Sequence, residues 1–453
     1  MAIAKQKAGT MLEGPLLRSI LFYTIPIMLT GILQLLFNAA DLVVVGQFCG
    51  EISVAAVGNA GTISALLVNL FIGLSVGTSV TVAQAIGANK ADAVHRAVHT
   101  ALPAAITCGL IVTVIGLPLT ERLLLLMNTP DTVLPLSALY LKIYFAGMIF
   151  MMVYNFCAAI LRASGDSKSP LIFLTIAGVI NVGLNVIFVT LLHMNVAGVA
   201  LATTISQGVS AVLVIIALMR RTDACKLYLK KIRFYKAELL EIIRIGLPAG
   251  IQNSLFSISN VIIQSSINSF GDLFMSGNAA ANNIDGFLYV TLNSFHQTAL
   301  NFIGQNVGAG QYKRAKKILW ICLGYVTVVC LIVATIILAL GPTLLSIYIP
   351  DSPEAVAWGM VRLTCLCYPF VFGGWLDIST GALRGMGASF SPMVISVLGI
   401  CGLRILWIYT VFQIPAFHTP QWLYFSYGIS WAVSFFIQLA AFYAIYRKRT
   451  KPQ

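Results

Sequence analysis

The 453-residue chain reads as an all-α integral membrane protein with twelve transmembrane helices in two pseudo-symmetric six-helix lobes, arranged as parallel repeats. Three observations predict this. The apolar fraction is 58% and only 9% of residues are charged, against roughly 25% charged in a soluble domain. Apolar runs long enough to cross a bilayer recur along the whole chain. Motifs of the first half also return, in order, about 220 residues later.

A span needs about 20 mostly apolar residues. The first six are expected near 16–46, 54–86, 92–118, 132–160, 168–192 and 196–219. The second six are expected near 237–270, 276–307, 313–340, 354–382, 390–413 and 421–446. Several exceed 25 residues, which predicts tilt, kinks or protrusion. The lobes are then 1–219 and 237–453, joined by a basic linker at 220–236.

The repeat is carried by matched motifs. Pro26 precedes Asn38 by twelve residues, as Pro248 precedes Asn260. Ala-Gln-Ala-Ile-Gly-Ala at 83–88 matches Gly-Gln-Asn-Val-Gly-Ala at 304–309. Leu-Arg-Ala-Ser-Gly-Asp-Ser-Lys-Ser-Pro at 161–170 matches Leu-Arg-Gly-Met-Gly-Ala-Ser-Phe-Ser-Pro at 383–392, and Asn128-Thr-Pro-Asp131 echoes Tyr348-Ile-Pro-Asp351. Six spans per repeat is an even number, so the second repeat enters from the same side as the first, which predicts parallel lobes around a central cleft and alternating access.

Net charge is +13, yet the basic residues sit between apolar spans, so lipid rather than nucleic acid is the partner they predict. One side carries Lys5, Lys7 and Arg18, Lys90 and Arg96, Arg162 and Lys168, and the linker cations from Arg220 to Arg244. It continues with Lys313 to Lys317, Arg384, and Arg447 to Lys451. The other side carries Glu51, Asp131, Asp272, Asp351 and Glu354, with Arg122 as the exception. This asymmetry predicts cytoplasmic termini in a plasma (inner) membrane protein. The apolar run after Arg18 has no small-residue cleavage site, so no cleaved signal peptide is expected.

No nucleotide-binding, zinc-protease or nucleophile-elbow motif occurs, so an enzyme is not expected. Cys365-Leu-Cys367 is the one close cysteine pair, and without a second pair or a His it makes no metal site. Uphill transport would therefore draw on an ion gradient.

Embedded charges are costly and mark cavities or partners. Asp41 stands alone in the first lobe, since its repeat counterpart is Ile263. Asn181 and Asn185, one turn apart, and Thr203 and Thr204 offer oxygens to join it at a proton or cation site. Lys142 should snorkel near the outer end of the fourth span. Asp285 and Arg404 lie at similar depths, which suggests an ion pair. Asp377 has Asn155 as its counterpart, and Arg384 follows it by two helical turns. His296 reads as packing.

Together these residues resemble the multidrug and toxic compound extrusion (MATE) family, bacterial type. The carriers are Gln34-Leu-Leu-Phe-Asn-Ala-Ala-Asp41 with Val45-Gly46, the 83–88 and 304–309 motifs, Leu161 to Pro170, and Gly198 to Thr203. The resemblance implies efflux of small organic, often cationic, compounds in exchange for H⁺ or Na⁺, by a monomer without cofactor. It assigns ion coupling to Asp41 and Asn181, and Asn185 and Thr203 stand beside them as ion-coupling candidates by their own oxygens. Gln34, Asn155, Asp285, Asp377 and Arg404 stand as substrate or gating candidates. Asn185 replaces the Asp of many members, and Leu255 stands where one branch has a Glu, so protonation of Asp41 is favoured over a Na⁺ cage. A lipid-linked precursor flippase is the alternative, opposed by the few cations expected in the membrane.

Overall fold

The structure is a computed structural model that describes residues 11–127, 129–350 and 352–450, with backbone only at 62, 63, 65, 66 and 261. Lys5, Lys7, Asn128, Asp351 and Lys451 lie outside the described residues. Described residues form helices and connecting turns, with no strand among them.

The first repeat contains α1 (Leu16–Cys49), α2 (Glu51–Gly87), α3 (Ala91–Leu126), α4 (Leu134–Ala146), α5 (Met148–Ala163), α6 (Lys168–Val186) and α7 (Asn195–Met219). The second contains α8 (Lys236–Asn268), α9 (Asp272–Gly308), α10 (Tyr312–Tyr348), α11 (Pro353–Leu366) and α12 (Phe370–Gly385). It ends with α13 (Phe390–Ser396), α14 (Leu403–Tyr409) and α15 (Pro420–Thr450).

These make twelve spans. Among the described residues eight helices are long and apolar enough to cross a membrane alone, and two bent pairs raise the number to ten. The pairs are α4 with α5, bent by 47°, and α11 with α12, bent by 51°. The second break falls at Pro369, which lacks an N–H and crowds the preceding turn. The helices α8 and α9, of 33 and 37 residues, complete the twelve. The low apolarity of α9 has a local cause: Asn278, Asp285, His296, Asn301, Gln305 and Asn306 on it are buried against protein. It packs on α10, α11 and α12.

The fifth and eleventh spans each widen into a π-helical segment, Ile187–Leu191 after α6 and Val397–Gly402 between α13 and α14. The repeat is also visible in the turns. Gly165 (φ 94°) and Gly387 (φ 78°) both take the left-handed conformation that a Cβ would strain.

The chain divides into two compact units. One holds Ile25–Gly250, and the other holds Met11–Thr24 together with Ile251 onward. In the first unit α8 begins against α2 and α3. Arg96 pairs with Glu238 at 2.6 Å, and the Tyr235 N–H donates to Thr100 Oγ1 at 3.1 Å. Gly73 and Gly77 of α2 face Gly246 and Gly250 of α8 so closely that a Cβ on Gly73 would lie 2.2 Å from the Gly250 nitrogen. In the second unit, the opening of α1 lies along α9. Thr24 and Thr298 share a hydrogen bond of 2.9 Å, and Asn301 Nδ2 donates to Tyr23 Oη at 3.1 Å. Asn306 Nδ2 donates to the Met11 carbonyl at 3.1 Å.

Candidate functional site

Four polar residues converge inside the first unit. The face of α6 that meets α1 carries Gly178, Asn181 and Asn185. Phe37 fills the space over Gly178, where a Cβ would stand 1.9 Å from the ring. That close approach brings Asp41, one turn beyond Phe37, level with the two asparagines. The Asn185 amide donates to the Asp41 carboxylate. The Asn181 amide is assigned with its nitrogen toward Asp41 at 2.9 Å, because its oxygen would otherwise face a carboxylate. Its oxygen then accepts from the Thr203 N–H at 3.3 Å. Thr203 Oγ1 donates to the Val199 carbonyl at 2.9 Å. Asn181 and Asn185 are 5% and 0% exposed, which seals the cluster on the α6 side, while Asp41 and Thr203 are partly exposed. Asn185 Oδ1 is buried without a partner, leaving an open acceptor beside the carboxylate. Such a pocket suits a proton on Asp41 or a small cation among its oxygens. Among the described residues no group of three His, Cys, Asp or Glu side chains could hold a metal ion.

The second unit carries a different set of charges. Asp285 does not pair with Arg404, as equal depth suggested; it pairs with Arg362 of α11 at 2.8 Å. The reason lies in the spacing of α9. Asn278, Asn282 and Asp285 share one face, and the Arg362 fork reaches all three. Its Nη1 donates to Asn278 at 2.8 Å and its Nη2 to Asn282 at 2.9 Å. Tyr424 Oη donates to Asn278 at 2.8 Å. Arg362 is absent from the sequence candidates above, yet it sits eight residues past Glu354 within an apolar run and so carries the signal of an embedded cation.

Arg404 of α14 instead donates from Nε to Ser430 Oγ at 3.0 Å and lies 3.8 Å over the Tyr427 ring. Arg384, counted among the cytoplasmic cations by sequence, is buried at 3% exposure. It donates to Gln252 Oε1 at 2.9 Å and makes a long 3.5 Å contact with His296 Nε2. His296 Nδ1 then donates to the Asp377 carbonyl at 2.7 Å, the tautomer this network requires. Asp377 is partly exposed, two turns before Arg384 on α12. Asn155 donates to the Met151 carbonyl at 2.9 Å, and Gln34 is exposed. Neither joins the cluster around Asp41. Lys142 is exposed and paired with Glu121 at 2.6 Å.

Comparison with known proteins agrees with this architecture. The MatE family model matches twice, at residues 26–187 and 248–410, so each repeat carries one copy. The chain is 28% identical to the probable multidrug resistance protein YpnP of Bacillus subtilis, over 88% of this chain and 89% of that protein. It is 25% identical to an FAD transporter of Shewanella oneidensis, over 87% of each. Among solved structures, a MOP superfamily transporter from Pyrococcus furiosus superposes with a TM-score of 0.92 at 20% identity, covering 100% of both chains. An outward-facing multidrug resistance MATE family transporter superposes at 0.90, also at 20% identity and 100% coverage of both. With twelve spans, a doubled motif set and the MatE match across both repeats, this chain belongs to the MatE family of multi-pass membrane transporters.

Proposed function

We infer that the chain exports small organic, often cationic, compounds in exchange for an inward-moving ion, with H⁺ preferred to Na⁺. The single observation that carries this reading is the Asp41 cluster. A lone membrane carboxylate is held by two amides with one acceptor left open, which supports reversible protonation. Na⁺ would need several fixed oxygens, and one carboxylate with Asn185 in place of a second supplies fewer charges than such a cage favours. The lobes at 1–219 and 237–453 work by alternating access, as a monomer in the cytoplasmic membrane with both termini inside. One charge crossing about 100 mV supplies roughly 2.3 kcal/mol, which supports an approximately 50-fold substrate gradient.

The test is transport of a cationic dye in proteoliposomes with pH and Na⁺ gradients imposed separately. Efflux driven by the pH gradient alone is expected, and Asp41→Asn, purified at normal yield, should lose it. Efflux that follows only the Na⁺ gradient, or persists in Asp41→Asn, would sink the assignment.

A further inference from the structure

The second unit buries more cations than it pairs. Arg362, Arg384 and Arg404 are 6%, 3% and 4% exposed, yet among the described residues only Arg362 meets a carboxylate within 4.0 Å. Arg384 is held by Gln252 and His296, with the Asp377 carboxylate on its own helix. Arg404 has a hydroxyl and two rings. Its guanidinium carbon lies 3.8 Å from the Tyr427 centroid and 5.4 Å from that of Trp431. Ring faces offset part of the charge, but they leave the in-plane N–H edge unsatisfied. Nη2 is buried with no hydrogen-bond partner. A buried cation with an open donor is a costly arrangement unless something supplies the acceptor.

Three further features say what would supply it. Tyr427 and Trp431 are partly exposed, so the stack over Arg404 is open to a visiting molecule although the guanidinium itself is enclosed. Phe370 extends the wall, with its ring centroid 5.0 Å from that of Trp431. The Asp285 carboxylate, which equal depth suggested as the partner of Arg404, is committed to Arg362. The repeat adds an independent point. The offset between the two family matches, 26 to 248, carries Asn181 onto Leu403, beside Arg404. Arg404 itself corresponds to Val182, so this buried cation belongs to the second repeat alone. Immediately before it, the π segment Val397–Gly402 re-aims the helix, a distortion common at functional sites.

We propose that Arg404, walled by Tyr427, Trp431 and Phe370, is a binding subsite for the anionic group of an aromatic solute, a carboxylate or a phosphate. The planar body of the solute lies against the rings, and an oxygen of its anionic group accepts from Nη2, which the site must uncover on binding, in a charge-assisted hydrogen bond. This subsite extends the substrate range from cations to aromatic anions and zwitterions. It rests on the transporter reading above.

The experiment measures thermal stabilisation of the purified full chain by naphthalene-1-carboxylate, by 1-naphthyl phosphate, by the methyl ester of the carboxylate and by phosphatidylglycerol. At least one of the two solute anions should raise the melting temperature and the neutral ester should not. Arg404→Gln should weaken the stabilisation at least about tenfold in ligand concentration, and Tyr427→Leu should weaken it while keeping the anion preference. If Arg404→Gln does not fold, the comparison of anion and ester on the native chain still decides. Equal stabilisation by ester and anion, or none by either anion, overturns the subsite. So does stabilisation by the lipid alone. Dye efflux by the same preparation separates the two readings. A chain that exports the cationic dye but binds neither anion loses only the subsite, whereas one that binds an anion without ion-driven efflux loses the transporter mechanism.

Discussion

At the scale of single residues, an embedded charge was legible but its partner was not. Asp285 and Arg404 are expected at comparable depth from their places in the chain, yet packing gives them different neighbours, Arg362 for the one and Ser430 with Tyr427 for the other. A position along a span gives height, while azimuth depends on which helices pack against it. Asp41 was legible because a lone carboxylate in an apolar run has few explanations. Its partners Asn181 and Asn185 were readable from their one-turn spacing, but the glycine at 178 that admits Phe37 was not. The Asp285–Arg362 pair yields a direct prediction. Removing one partner leaves the other charge buried and uncompensated, at a cost of about 3–5 kcal/mol. Arg362→Ala should therefore lower the melting temperature sharply, and the double change Arg362→Met with Asp285→Leu should recover much of the loss. A double variant no more stable than Arg362→Ala would show that the pair does not set this stability. The linker offers a second case. Cys225 is 2% exposed, and burial pushes its thiol up to about 12 from its ordinary value. It should resist maleimide at pH 7 in the folded protein and react only on unfolding.

At the scale of elements, apolar runs marked ten of the twelve spans outright, because a bilayer imposes length and composition together, and α8 and α9 stood out less because polar residues interrupt them. The ends of the spans were less legible. The third span runs to Leu126 through Pro118, and the ninth to Tyr348 through Pro342, since a proline late in a long helix can be absorbed by neighbouring turns. The glycines of α2 and α8 set a stricter condition. Small residues four apart let two backbones touch, the usual way membrane helices associate. Gly77→Ala would place its Cβ 2.1 Å from the Ile242 carbonyl oxygen, so a destabilisation of about 1–3 kcal/mol is expected. Gly58→Ala on the same helix meets nothing within 4 Å and should be neutral or mildly stabilising. Thermal unfolding of the two variants checks both; equal behaviour would mean that the seam is not tight.

At the scale of the whole molecule, the doubling was the most legible feature, because matched motifs at one offset need no structural knowledge to see. The inequality of the halves was legible only in part: a carboxylate in the first and carboxylates with an arginine in the second were readable, but the enclosure of Arg384 and Arg362 required the packing. Topology can be checked by labelling. Lys230→Cys should react with an impermeant maleimide only from the cytoplasmic side, and Asp272→Cys only from outside; the reverse pattern would invert the charge-based orientation. The placement of Met11–Thr24 within the second unit has a further consequence, for synthesis. Thr24 finds its partner 274 residues later, at Thr298. At about 5–20 residues per second the ribosome needs tens of seconds to supply it. During that interval the opening turns of the first span must be kept in the bilayer by lipid or by the insertion machinery, since the surface they finally occupy has not been translated. Quality control of this protein therefore falls late, and a chain stopped in the linker is an incomplete object at both ends of its first repeat.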